Sequence, residues 1–339
     1  MRLFGRKLKL WGVSLGAGVL GAVALAVRYA LRPAPKSRLP EVISPAIFAT
    51  RLLYTSRGQI VYHESGQGDP LVFVHGVYVG ASSYEWSKVY PHFADRFQVL
   101  ALDLLGFGES DRSDTMLSLP DQVQALREFV RAKCGESRAT IVGSGLGAGF
   151  STVLAAQHPE LVQRLILSMP TGLVEFGRQR LPNRYRWISR MPLTNRLFYR
   201  RYLSTRAQVR GWLRNFGFAE PLRINEEVVD VLTNCAQQFG AERVIFQWLS
   251  RRFNFDLEER LAGLSQPVTL IWGDKAVYPP LEWAYRLQPI PKQCSLVVLQ
   301  NTGLLAPLEM PEQMVDVLTR ELDSRIRVFK AARGAESRE

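Results

Sequence analysis

The sequence predicts an α/β protein: a mostly parallel sheet with helices on both faces, interrupted by a helical insertion and preceded by one membrane-spanning helix. Three observations carry this expectation. From about residue 50 onward, short apolar runs alternate with amphipathic stretches, the pattern that builds a parallel sheet covered on both sides. Between residues 175 and 262 that rhythm gives way to an Arg-rich, aromatic stretch with helical patterning. Near the N-terminus, the eighteen residues from Leu10 to Val27 carry no charge.

Composition bounds the problem. The chain has 339 residues, 47% of them hydrophobic and 22% charged. These proportions exclude a disordered, collagen-like or small disulfide-stapled protein. Three widely spaced cysteines, Cys134, Cys235 and Cys294, form neither a disulfide framework nor a zinc ligand set. No metal and no cofactor are expected. The run Gly143–Gly149 lacks the Lys-[Ser/Thr] ending of a phosphate loop.

The uncharged run at residues 10–27 would make a helix of about 27 Å, enough to cross a bilayer core. A single-pass membrane anchor over residues 1–31 is the leading expectation. A cleaved secretory signal, with Ala24-Leu25-Ala26 as its cleavage site, and a soluble or surface-lying helix are the alternatives. Four basic residues flank each side of the run, so the charge bias gives no orientation. Residues 32–50, with four prolines, read as a linker.

The net charge of +12 is unevenly placed. Residues 1–40 contribute +8 and residues 178–214 contribute +11, which leaves the rest at −7. Basicity is therefore confined to two patches, and a charged partner should meet those. In the insertion, eleven arginines interleave with Trp187, Phe198, Tyr199, Tyr202 and Trp212. This suits either a solvated helical face or a surface resting on anionic lipid headgroups, with Arg184, Arg186, Trp187, Arg200 and Arg201 facing the membrane. No nucleic-acid-binding fold supports a nucleic-acid reading.

Seven segments read as strands: Gln59–His63, Leu71–Val74, Val99–Leu102, Thr140–Val142, Leu165–Ser168, Val268–Trp272 and Ser295–Leu299. Helices are expected between them, for example at Leu119–Cys134 and Ser151–His158. The domain plan is an anchor at 1–31, a linker at 32–50, a core formed by 51–174 and 263–328, a helical cap at 175–262 and a disordered tail at 329–339.

Five motifs follow these strands in order. They are His75-Gly76, Asp103-Leu104-Leu105-Gly106-Phe107-Gly108, Gly143-Ser144-Gly145-Leu146-Gly147, Trp272-Gly273-Asp274 and Gly303 through Pro311. Together they resemble the α/β-hydrolase fold superfamily, in the branch of esterases, haloalkane dehalogenases and epoxide hydrolases. The segment Ser83-Tyr84-Glu85-Trp86-Ser87-Lys88-Val89-Tyr90-Pro91 adds a likeness to a branch common in oxygenic phototrophs.

The resemblance implies a nucleophile, an acid and a histidine in that chain order. It also implies an oxyanion site built around His75, Gly76, Val77 and Leu146, with the N–H groups of Val77 and Leu146 as donors. At the three triad positions this chain carries Gly145, Ala276 and Leu304. Ser144 stands one residue before the nucleophile position. The histidines are His63, His75, His92 and His158, so none follows residue 158. A serine without an adjacent base is a poor nucleophile. The sequence therefore points to a degenerate member that binds an apolar ligand, a lipid or a protein. The alternative is an active hydrolase using Ser144, His75 and Asp103. His75 reads mainly as a shaper of the oxyanion loop, Asp103 as the organiser of its own turn and His158 as a helix end. Glu175 lies near a position some relatives use for the acid, without a histidine to orient.

Overall fold

The computed structural model describes residues 47–113, 115–172 and 192–336. The expected anchor at 1–31, most of the linker, Glu175, Arg184, Arg186 and Trp187 lie outside them.

The strand cores are fully buried apolar runs: Leu71 to Val74, Val99 to Leu102, and Leu165 to Leu167. Such runs form where a strand is covered on both faces. Eight strands make one sheet in the order β1-β2-β4-β3-β5-β6-β7-β8. They are β1 (Ala49–Thr55), β2 (Gly58–Ser65), β3 (Asp69–Val74), β4 (Phe97–Leu102), β5 (Ala139–Ser144), β6 (Val162–Ser168), β7 (Val268–Gly273) and β8 (Cys294–Leu299). The pairs β1/β2 and β2/β4 are antiparallel, and every other pair is parallel. In such a sheet the ligand crevice lies beyond the carboxyl ends of the strands.

Three sequence expectations need correction. The linker does not reach residue 50, because β1 starts at Ala49. This strand was invisible as an apolar run because it is an exposed edge; Tyr54 is 79% exposed. The second expected helix starts at Gly145, not Ser151. Its first turn is Gly-Leu-Gly-Ala-Gly, whose intrinsic propensity opposes a helix, and tertiary packing overrides it. Finally, residues 329–336 are not a disordered tail but continue the helix Pro311–Glu336, in a segment holding Lys330, Ala331 and Ala332, residues that favour helix.

Two core helices pack against the sheet. Helix α1 (Leu119–Cys134) is started by Asp121, whose side chain accepts from the Ser118 N–H at 2.9 Å, as in a capping box. Helix α2 (Gly145–Gln157) follows β5 directly and is buried over Leu146 to Ala155.

Between β6 and β7 the described chain is helical: α3 (Pro192–Tyr202), α4 (Arg206–Trp212), a π-turn at Leu213–Gly217, α5 (Glu226–Gln237), α6 (Ala241–Leu249) and α7 (Leu257–Ala262). The Tyr84 hydroxyl donates to Glu227 at 2.8 Å, tying α5 to the core. Arg206 pairs with Glu226 and Asp230, and Arg210 also pairs with Glu226, so these two arginines are engaged within the protein. Among the described residues no helix is long and apolar enough to cross a membrane. After β7 come α8 (Leu281–Leu287), α9 (Ala306–Glu309) and α10 (Pro311–Glu336).

The far end of the sheet is locked by a buried charge. Arg164 on β6 pairs with Glu321 on α10 and donates to Thr269 on β7 at 2.9 Å, while Thr269 donates to Glu321 at 2.7 Å. Removing one partner of such a pair strands the other charge. Because Glu321 keeps 20% side-chain exposure, Arg164→Ala should lower stability by about 3 kcal/mol, the low end for a broken buried pair. Urea unfolding monitored by tryptophan fluorescence measures this.

Candidate functional site

The site forms where β3, β5, β6 and β8 end. The chain leaves β5 through Gly145, which has φ +50°. That left-handed conformation strains a residue carrying a Cβ. A Cβ placed there would nonetheless meet only the Gly76 Cα, at 3.8 Å. The turn is thus shaped to project a side chain into open space, and glycine projects none. Two residues on, a Cβ at Gly147 would stand 2.0 Å from the His75 carbonyl oxygen. Only glycine allows α2 to approach the loop after β3 so closely.

This approach brings Gly76, Val77, Gly145 and Leu146 to one wall of a cavity of about 430 Å³. The backbone N–H groups of Val77 and Leu146 have no acceptor within the described residues. Leu146 sits in the first turn of α2, where backbone donors are orphaned and the helix dipole favours negative charge. The rest of the wall is mainly apolar. Met169 follows β6 with φ +45°. Leu304 and Leu305 follow β8, and Trp212, Phe216 and Trp248 come from the inserted helices. Trp212 stacks on Tyr78 with ring centroids 5.0 Å apart and planes 15° apart.

The structure brings some expected residues together and separates others. Gly145 and Leu304 line the cavity. Ala276 is buried at 7% but is not on the wall; Tyr278 and Pro279 from the same loop are. The nearby Asp274 is spent on structure, accepting from the Thr302 N–H at 3.2 Å.

His75 was expected at the pocket and lies behind it, fully buried. Its Nε2 accepts from the Leu104 N–H at 3.0 Å, so Nδ1 carries the proton and donates to the Gly76 carbonyl at 2.6 Å. Both ring nitrogens are committed. Burial lowers its pKa, with the Asp103 charge pulling the other way. Asp103 is also fully buried; it accepts from the Ser83 N–H at 2.6 Å and the Glu109 N–H at 2.8 Å. Neither residue is placed to act on a bound molecule. His158 lies at the end of α2, 3.2 Å from Glu160. Of the three alternative catalytic candidates, only Ser144 touches the cavity.

Sequence reasoning missed Glu85. It is 1% exposed, lies in the 3-10 helix Ser83–Trp86 and accepts from the Gly76 N–H at 2.8 Å. Burial raises its pKa, against hydrogen bonding from Ser144, Gly76 and Tyr78. In the sequence, the segment Ser83–Pro91 stands out only for its likeness to a branch of the family, which says nothing of where the Glu85 side chain lies. Among the described residues no cluster of three or more His, Cys, Asp or Glu is placed to hold a metal ion.

Comparison with known proteins agrees with this geometry. Among curated relatives, a 2-hydroxy-6-oxo-6-(2'-aminophenyl)hexa-2,4-dienoic acid hydrolase of Metapseudomonas resinovorans is 24% identical over 294 residues, covering 85% of this chain and 96% of its own length. An uncharacterized hydrolase of Bacillus subtilis is 29% identical over 267 residues, covering 76% and 93%. Among solved structures, a serine hydrolase involved in carbazole degradation superposes with TM-score 0.67 at 22% identity, over 81% of this chain and 99% of its own. A bacterial membrane phospholipase A superposes with TM-score 0.66 at 22% identity, over 95% and 98%. A family profile described as the alpha/beta hydrolase fold matches residues 69–309. With its strand order, its turn at Gly145 and that match, the chain belongs to the alpha/beta hydrolase fold family.

Proposed function

We propose that this chain is a membrane-tethered member of the family that binds an apolar ligand without hydrolysing it. One observation carries the reading: a 430 Å³ cavity of mainly apolar lining that keeps the oxyanion-type N–H pair but presents Gly145 and Leu304 on its wall and no imidazole. Its volume falls in the range of ordinary small-molecule sites, about 300–1,000 Å³. The N–H groups of Val77 and Leu146 suit a hydrogen-bond acceptor such as a carbonyl, and the aromatic wall suits a hydrocarbon chain. An oxyanion site alone leaves residual catalysis of roughly 10³–10⁴ over water, far short of an enzyme. Leu304 also spares the protein the cost of burying an unpaired polar group at an apolar wall.

The binding claim is tested with 1-monodecanoylglycerol. The full chain should bind it one to one by calorimetry, and mass spectrometry should find the ester intact after prolonged incubation. Release of decanoate would mark an active hydrolase, the alternative in which Ser144 is the nucleophile. Leu304→Lys, which places a charge on the apolar wall, should weaken binding by at least about tenfold, or 1.4 kcal/mol, while leaving the circular dichroism spectrum unchanged.

Gly145→Ser should fold, losing about 1–2 kcal/mol for a side chain at positive φ. It should still hydrolyse p-nitrophenyl acetate no faster than the wild type, because no imidazole lies on the described cavity wall to take the proton of the new hydroxyl. Turnover clearly above wild type would reveal a base within reach.

Tethering is supported by the uncharged run Leu10 to Val27, and by likeness over 95% of the chain to a protein described as a membrane phospholipase A. A further contact of the inserted helices with anionic headgroups would use Arg200 and Arg201 together with Arg184, Arg186 and Trp187; Tyr202 beside them is 53% exposed. Deleting residues 1–31 should move the protein from the membrane to the soluble fraction. If the arginines hold lipid, the truncated form should leave anionic vesicles only at high salt. Release that does not depend on salt would rule out the lipid contact.

A further inference from the structure

We infer that Glu85 determines which head group the pocket accepts, favouring a neutral acceptor such as an ester or amide carbonyl and opposing an anionic head. The inference rests on the binding reading above and names the ligand class for that same site.

The argument begins with position. The Glu85 Oε2 accepts from the Gly76 N–H at 2.8 Å. Gly76 directly precedes Val77, and consecutive Cα atoms are about 3.8 Å apart. The carboxyl therefore lies one peptide unit from an N–H that would hold the ligand head. It is 1% exposed, so solvent does little to screen it.

No cation is among the groups that act on Glu85, and the one arginine on the described cavity wall, Arg251, comes from the inserted segment. The groups acting on Glu85 are the Ser144 hydroxyl, the Gly76 N–H and the Tyr78 hydroxyl. Tyr78 in turn faces Cys235 of α5 and Tyr84. The adjacent His75 is held neutral, as both its nitrogens are committed to backbone partners. In its ionised form this carboxyl can be joined by a neutral carbonyl, which takes the two free N–H groups without adding charge. An anion at the same place would face a like charge in a medium of low dielectric, which costs far more than in water.

The carboxyl also braces the oxyanion loop, so a purely structural role must be separable. Glu85→Gln keeps an oxygen to accept from Gly76 and removes the charge. The full chain and this variant are titrated at about pH 8 with two probes of equal chain length: 1-monodecanoylglycerol, which is neutral, and decanesulfonate, which is anionic at every pH. The wild type should prefer the neutral probe by at least about tenfold. Glu85→Gln should narrow that preference by at least about fivefold, because sulfonate binding gains relative to the neutral probe. A brace alone would shift both probes together. In case the variant does not fold, the wild type supplies a second measurement. Its sulfonate affinity should rise as pH falls and Glu85 takes up a proton, while the neutral probe stays level. An unchanged preference in the variant, or sulfonate affinity independent of pH, overturns the role of Glu85 and leaves the pocket reading intact. Failure of both probes to bind overturns the pocket reading as well.

Discussion

The closeness of α2 to the loop after β3 governs the whole upper face of the sheet. At Gly147 the helix backbone lies so near the His75 carbonyl that a Cβ would be only 2.0 Å from it. That contact sets the Val77 and Leu146 N–H groups against one cavity and places His75 beneath the loop as a brace. It also forces the chain out of β5 through a left-handed residue, Gly145. The family's framework persists here because this approach is a packing requirement, independent of any chemistry carried by the turn.

Much of this was legible in the sequence, for identifiable reasons. The central strands announced themselves because burial on both faces demands uninterrupted apolar runs. The helix Leu119–Cys134 was readable to the residue from its amphipathic pattern. By contrast β1, with five of its seven residues exposed, offers no apolar signature. Gly145 and Leu304 could be placed on the wall because the motifs around them fix the chain locally. Ala276 could not, because the loop after β7 presents Tyr278 and Pro279 to the cavity instead.

The contributions of the insertion were illegible for a different reason. Nothing in the spacing of Trp212, Phe216 and Trp248 says which face of their helices meets the sheet. Glu85 shows the same limit more sharply. Its burial comes with the bond from Gly76, nine residues earlier, and with the Tyr84–Glu227 bond to α5 close by. A short sequence window around residue 85 contains neither Gly76 nor Glu227.

Glu309 offers a last consequence. Its carboxylate accepts from the Gly303 N–H of the core loop at 2.7 Å and from the Glu220 N–H of the insertion at 2.8 Å, with Arg223 3.5 Å away. Close by, the Leu305 N–H donates to the Gly217 carbonyl at 2.8 Å. The strip that carries Leu304 is therefore riveted to the roof above it. A roof fastened in this way resists swinging as a rigid flap. Traffic into the chamber would then run through rotamer changes at its aromatic rim, such as Phe216, rather than through a hinge, and a guest, once seated, would have a residence time governed by that local breathing.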